Sequence, residues 1–311
     1  MNREEASGES WSSNQLENWT EEQDQLKKKL IAHDDFPWKL PSSPTELPQG
    51  SETLKYVGGV DISFTKDDSS VACACLVVLE LPSLRVVHNE LSLLRLQVPY
   101  VPGFLAFREV LGWRCSVFGL KDWIFLMGFS PFAPVLLQIL EKMRDDQHPF
   151  YPQVLMVDGN GILHPRGFGL ACHLGVLAHL PTIGVGKNVP SSQNLYLFSA
   201  CLHHVDGLDH SEVRRSFLLK ENEDEQVIKL VGNSGFTWGV GFRPTLSSVK
   251  PIYVSLGHRI SLDSAVEVVK MTCKYRVPEP IRQADMRSRA YLQKHLLGLL
   301  KDLGHTEWVT S

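Results

Sequence analysis

Cysteine is scarce in this chain: there are six in 311 residues, and no two are spaced C-x-x-C. That excludes a disulfide-built scaffold, offers no thiolate zinc site and fits a reducing, intracellular setting. An excess of positive charge is lacking too. Lys and Arg number 31 against 35 Asp and Glu, for a formal net charge of −4. Proteins that coat nucleic acid by bulk electrostatics have a pI above about 9, so that class is excluded, whereas an enzyme with a local nucleic-acid site is not. The opening MNREEASGESWSSNQ has no apolar core, so no secretory signal is expected there. Long apolar runs are nearly absent. The exception, Trp123 to Leu140, has no charged side chain and approaches the roughly 20 residues of a membrane span. Pro131 and Pro134 interrupt it and no basic flank follows, so an inserted loop is expected and no membrane role.

What is present is a globular composition, 43% hydrophobic and 21% charged, long enough for one large domain or two small ones. Residues 1–53 are polar and acid-rich. Within them TEEQDQLKKKLIAHDDF reads as one amphipathic helix with Leu26, Leu30 and Ile31 on a single face. A Pro-rich linker, Pro37 to Gln49, follows. From Leu54 the pattern changes. LKYVGGVDISF alternates as a strand, Val60, Ile62 and Phe64 on one face, Asp61 and Ser63 on the other. VACACLVVLEL is apolar on both faces, as a central strand is, with Cys73 and Cys75 as small buried hydrophobes. Arg85 to Leu96 completes a three-stranded meander.

Helix and strand then alternate. GFLAFREV starts a short helix, PVLLQILEKMRDD is an amphipathic one, and PQVLMVDG is a buried strand entering the loop DGNGILHPRGFG. LACHLGVLAHL is helical and PTIGVGK is a strand. Ser261 caps a helix running to about Tyr275, and a second helix starts near Ile281 after PEP. Strands followed by alternating strands and helices imply an α/β fold, a mixed sheet with helices on its faces.

Three carboxylates stand where apolar patterns do not call for them. Asp61 lies in an apolar strand behind Gly58 and Gly59, which allow another backbone or a ligand to come close. Asp158 ends a buried strand at the Gly-rich loop. Glu109 follows Phe104 and Phe107 on a short helix. Alone, each reads equally as a turn or cap residue. Together they would raise one another's pKa unless a cation sat among them, and Mg²⁺ suits such an oxygen-only set. Lys187, at a strand end, is placed to stabilise negative charge, and His164, in the Gly-rich loop, to move a proton. Singly, both fit ordinary surface positions. PYVPG (99–103) reads either as a helix-entry loop or as a wedge that unstacks bases. Residues 243–311 carry eleven basic against six acidic side chains, a plausible phosphate-facing surface.

In this order, VGGVDISF, PYVPGFLAFREV, DGNGILHPRGFGLACHLGVL, PTIGVGK, SLGHRISLDSAV and PEPIRQAD closely resemble the endonuclease V family. The resemblance implies an RNase H-like mixed β-sheet flanked by helices. It implies a Mg²⁺-dependent nuclease, with Mn²⁺ as a substitute, that cuts the second phosphodiester bond 3′ to inosine. The vertebrate-like wording implies single-stranded RNA as substrate, with deoxyinosine DNA as the alternative. It also implies a monomer of the cytoplasm and the nucleus or nucleolus. By the same resemblance Asp61, Glu109, Asp158 and Asp285 are the metal-binding acids, and His164 and Lys187 the catalytic His and Lys. Tyr100 is the wedge, and Pro102, Gly103, Gly159 and Gly161 line the hypoxanthine pocket. Asp285 carries no such signal by pattern alone.

The nuclease domain then spans 54–300, with 301–311 a tail. Two inserts depart from the family: residues 111–133, directly after the Glu109 helix, and a stretch within about 188–204. A displacement of about 1 Å at a catalytic group can cost about 100-fold in rate. The alternative expectation is therefore a weakened variant that binds inosine-containing RNA without efficient cleavage.

Overall fold

The structure, a computed structural model, describes residues 13–41, 53–66, 68, 70–95, 135–187, 205–208, 215, 227–245 and 250–304. Its elements in chain order begin with helix α1 (Ser13–Lys27) and strands β1 (Tyr56–Phe64), β2 (Val71–Glu80) and β3 (Arg85–Arg95). They continue with α2 (Val135–Asp145), β4 (Val154–Asp158), α3 (Leu170–Ala178) and β5 (Thr182–Lys187). Strands β6 (Val227–Val231), β7 (Thr237–Phe242) and β8 (Ile252–His258) follow, then α4 (Leu262–Thr272) and α5 (Glu279–Gly304).

The strands form one sheet in the order β3-β2-β1-β4-β5-β8-β7-β6. The first three make the expected antiparallel meander, while β1–β4 and β4–β5 pair in parallel. Successive side chains along a strand point to opposite faces, and both faces are covered. On one, α4 and α5 bury Val268, Ile281 and Ala284 against Val57, Cys75, Met156 and Val254. On the other, α2 and α3 bury Leu137, Leu140 and Leu174 against Val60, Leu76 and Leu155. This double cover is why VACACLVVLE is apolar at every position but its last.

Register brings the two strand acids together. Val60 lies opposite Val157 in the parallel β1–β4 pair, so the next residues, Asp61 and Asp158, come side by side. Asp158 lies opposite Val185 on β5, and Lys187 is two residues further along, on the same face. Asp61, Asp158 and Lys187 thus share the α4/α5 face at the C-terminal ends of the three parallel strands, where open α/β sheets hold their ligands.

The structure corrects four sequence expectations. Helix α1 stops at Lys27, short of Leu30 and Ile31. The Ile31 N–H is instead given to His258 Nδ1 at 3.2 Å, and its carbonyl accepts from Arg259 N at 2.7 Å. Pairing with the end of β8 therefore replaces the last turn. Helix α4 ends at Thr272, not Tyr275; the Thr272 hydroxyl bonds back to Val268 O and Val269 O, and Cys273 is extended. Helix α5 begins at Glu279, with Pro280 in its first turn, where a missing N–H costs nothing. Strands β8, β7 and β6, which extend the sheet beyond β5 with each neighbouring pair antiparallel, have no counterpart in the sequence reading. The Ser261 cap is as expected, its side chain accepting from Ser264 N.

Among the described residues no helix is long and apolar enough to cross a membrane. Tyr100, Pro102, Gly103, Glu109 and the stretches 111–133 and 188–204 lie outside the described residues.

Candidate active site

The site begins at Gly59. A side chain there would put its Cβ 2.3 Å from the Pro280 carbonyl carbon and oxygen, so only glycine lets the start of α5 lie on β1. The close approach that the Gly-Gly pair allows is thus filled by the chain's own backbone. Helix α5 then runs along β1 and delivers Asp285 and Ser288 toward Asp61.

Asp61 is buried. Its Oδ2 lies 3.1 Å from Ser63 Oγ and 3.3 Å from Ser288 Oγ, and the two hydroxyls are 2.7 Å apart. Ser288 Oγ is also 3.0 Å from the Asp285 carbonyl, so its single proton is shared among these acceptors. Burial, then the charge and hydrogen-bonding carboxyl of Asp158, raise the Asp61 pKa well above the ordinary carboxylate range. The Asp285 charge adds to this and Lys187 opposes it.

Asp158 is neutralised by Lys187, with Nζ 2.7 Å from Oδ2. Burial works against the Lys187 charge, but Asp158, Asp61 and Asp285 outweigh it and hold its pKa above the usual value. Asp285 itself accepts from Arg289 Nε at 2.8 Å, one turn along α5. Of the six residues expected to be catalytic, the structure therefore brings together Asp61, Asp158, Lys187 and Asp285.

His164 sits apart from this group. It is buried, its Nδ1 accepts from the Arg166 N–H at 3.2 Å, and the proton of the neutral ring is thus left to Nε2. Burial, then the Arg166 and Lys27 cations, push its pKa down to about 4. It is a neutral ring beside cations, on a loop pinned by α1: Gln23 Nε2 donates to Phe168 O and Lys27 Nζ to Arg166 O.

Gly159 and Gly161 are explained by packing. Gly159 adopts φ +157 and donates its N–H to Val185 O at 3.2 Å. A Cβ on Gly161 would meet Leu256 O at 1.9 Å, and the Gly161 N–H is given to Ser255 Oγ at 2.9 Å. Both N–H groups are spent inside the protein.

Three residues near the site carry no assigned role in the sequence reading: Ser63, placed there only on the Asp61 face of its strand, Ser288 and Arg276. Ser63 is one strand period from Asp61 and Ser288 is three residues after Asp285, spacings that put each on its neighbour's face. For Arg276, at the α4–α5 connection, the sequence carries no signal beyond its nearness to PEP.

The acids present suit a hard divalent cation. They offer oxygen only, and burial, then the neighbouring carboxylates, raise the Asp61 pKa, the situation that a shared cation relieves. Among the described residues no three His, Cys, Asp or Glu side chains already converge on one point; Glu109 is outside that set.

The comparisons with known proteins agree with this geometry. The Endonuclease V family model matches residues 39–117 and 128–286, and the gap between the two falls inside 111–133. Endonuclease V of Mus musculus is 40% identical over 278 residues, 89% of this chain and 70% of that protein. Its Homo sapiens counterpart is 39% identical over 278 residues, 89% of this chain and 83% of its own length. A crystal structure of the human catalytic domain superposes with a TM-score of 0.73 at 37% identity, covering 92% of this chain and 99% of that one. Endonuclease V of Ciona intestinalis, in complex with a 23mer DNA containing an inosine followed by a ribo-adenosine, gives 0.70 at 29% identity, covering 91% and 99%. The eight-stranded mixed sheet with flanking helices is the RNase H-like architecture of these structures.

Proposed function

Because the chain belongs to the endonuclease V family, we propose that it is a divalent-metal-dependent endonuclease acting on inosine-containing nucleic acid. The substrate is single-stranded RNA, cut at the second phosphodiester bond 3′ to inosine. The observation that carries this is the pairing of Asp158 with Lys187 at 2.7 Å beside the buried Asp61, the two acids brought side by side by the β1–β4 register. Two carboxylates and a cation stand at the C-terminal ends of adjacent parallel strands, where a phosphate can be approached from solvent.

Asp61, Asp158 and Asp285 would hold Mg²⁺, or Mn²⁺ in its place, with Glu109 as the further acid, the set that the family resemblance implies. Such an ion, when bound, supplies a hydroxide at neutral pH and neutralises charge on the phosphate. Ser63 and Ser288 hold the Asp61 carboxyl at a fixed angle. Lys187 is freed from Asp158 to the extent that the carboxylate is otherwise engaged, and its ammonium then stabilises the anion developing at the scissile phosphate. His164, neutral with its proton on Nε2 and set apart from these acids, is left the role of donating a hydrogen bond, to an oxygen of the strand or to a water, and not of giving up a proton.

A base extruded into a pocket is read at its exposed edge. Inosine offers a carbonyl acceptor where adenosine offers an amino donor, so an N–H donor aimed at that atom rejects adenine. Tyr100, Pro102 and Gly103 are the positions that the resemblance gives to the wedge and pocket. The second reading is deoxyinosine DNA, favoured by the DNA strand in the Ciona relative's complex.

The test uses oligonucleotides identical except for inosine, deoxyinosine or adenosine at one position, incubated with Mg²⁺ and then with EDTA. Cleavage of the inosine RNA alone, lost in EDTA, is expected. Faster cleavage of the deoxyinosine strand would move the assignment to DNA. Tight binding without cleavage would make the chain a reader of inosine, as the insert after Glu109 would produce.

A further inference from the structure

One cation near this site has a side-chain nitrogen with no hydrogen-bond partner among the described residues. Arg276 lies in the connection between α4 and α5, three residues before Glu279. Its Nη1 is shielded from solvent yet makes no hydrogen bond among the described residues. The other arginines of this region are engaged: Arg282 with Glu279, Arg287 with Gln283, Arg289 with Asp285. A guanidinium nitrogen that is buried and unsatisfied is unusual enough in a folded protein to need a reason, and a ligand is one of the few available.

Its position supplies the reason. The connection passes over the sheet on the face that carries the acids. Thr272, at the end of α4, touches Met156 Sδ two residues before Asp158, and Pro280 lies on Gly59 two residues before Asp61. Arg276 sits between these two anchors, and the Asp158 charge reaches it. That carboxylate does not satisfy it, because Lys187 holds Asp158 Oδ2. A permanently charged guanidinium whose Nη1 is unsatisfied and which feels the Asp158 charge suits an oxygen of a phosphodiester.

We propose that Arg276 is a substrate-binding residue of this site, donating through Nη1 to a non-bridging phosphate oxygen of the single-stranded nucleic acid. This rests on the nuclease reading above and adds to it a phosphate contact entering from the α4–α5 connection. The contact is with the backbone, so it acts whatever base is present.

The test measures equilibrium binding of the full-length chain in EDTA, to single strands carrying inosine or adenosine, across a series of salt concentrations. Wild type, Arg276→Ala, Arg276→Lys and, as an exposed control, Lys270→Ala are compared. Each phosphate contact on a single strand contributes about −0.7 to the slope of log affinity against log salt. Arg276→Ala is expected to weaken that slope by about 0.7, equally for both strands. Arg276→Lys should keep the slope, and Lys270→Ala should match wild type. Thermal unfolding of each variant reports its folding. A slope in Arg276→Ala equal to that of wild type would overturn the proposal, even if affinity or stability fell, since a structural role moves those without removing an ion contact. A slope change for one strand only would equally overturn a backbone contact. Failure of the wild-type chain to cleave inosine RNA in Mg²⁺ would count against the nuclease reading while leaving the slope result to stand. Absence of binding to either strand would contradict both.

Discussion

Ser288 of α5 and Asp61 of β1, 227 residues apart in sequence, meet with Ser288 Oγ 3.3 Å from Asp61 Oδ2, and Ser63 Oγ closes the group at 2.7 Å from Ser288 Oγ. The acid proposed to hold the metal is thereby fixed by two hydroxyls from two elements. Removing one leaves a buried acceptor short of a donor, at about 1–3 kcal/mol. Ser288→Ala should therefore lower the cleavage rate about tenfold to 100-fold, in the range that supporting residues of a metal site show, with a higher Mg²⁺ requirement. A titration of rate against Mg²⁺ checks this. Unchanged metal dependence would leave Ser288 as packing only.

Gly59→Ala tests how α5 is seated. The added methyl would stand 2.3 Å from Pro280 backbone atoms, which cannot yield as a flexible side-chain tip would. Overpacking of this kind costs about 1–3 kcal/mol. Urea unfolding should show that loss, and cleavage should fall with it because Asp285 and Ser288 ride on the displaced helix. Gly235→Ala makes the converse comparison: no atom lies within 4 Å of a Cβ there, so only its φ of +80 opposes the methyl, and cleavage should stay near wild type.

Lys187→Met removes the cation paired with Asp158 while keeping much of the side chain's bulk. A single charged donor at a developing anion is worth about 100- to 1,000-fold in rate. Single-turnover cleavage should fall by that factor. The Asp61 pKa should rise further, since Lys187 is the one described group that lowers it.

Acid should unfold the protein through its buried histidines. Burial pushes His173 down to about 3, and burial with nearby Arg259 and His179 pushes His258 down to about 4. A histidine whose folded pKa is depressed binds fewer protons in the native state than in the unfolded chain. Stability therefore rises with pH between the folded and unfolded values and is lost as pH falls from about 6.5 toward them, by up to about 1.4 kcal/mol per pH unit for each such group. His173 is fully buried, so His173→Leu should flatten the dependence of the urea midpoint on pH between about 6.5 and 4. An unchanged slope would show that His173 does not carry that term.

Legibility in the sequence followed physics. Asp61 and Asp158 stood out because a charge inside an apolar strand is costly and needs a purpose, and both fell at the site. Lys187 was visible as the polar end of TIGVGK. Asp285 was not, because a carboxylate early in a helix is commonplace; only the Gly59–Pro280 contact, 221 residues apart in sequence, explains its arrival. The same holds for Ser288 and Arg276, whose roles exist only once α5 lies along β1. Helix α1 was read past its end since LKKKLI keeps helical spacing, while the competing hydrogen bonds of Ile31 to His258 and Arg259 are tertiary. Strands β6 to β8 lacked a clear alternation: β7 is TWGVGF, two glycines in six residues, and its pattern follows from its partners. Gly161 shows the opposite lesson. Its glycine is demanded by Leu256 O, so the residue type alone did not distinguish a ligand pocket from a tight crossing of two chain segments.

The central claim is that Asp61 and Asp158 carry metal-dependent, inosine-directed cleavage. Its most direct test is single-turnover cleavage of one end-labelled RNA strand with a single inosine, by wild type, Asp61→Asn and Asp158→Asn, in Mg²⁺. Wild type should give one product, ending at the second bond 3′ to inosine, and both variants should lose it while still binding the strand. Equal cleavage by either variant, or equal cleavage of the adenosine strand by wild type, would contradict the account.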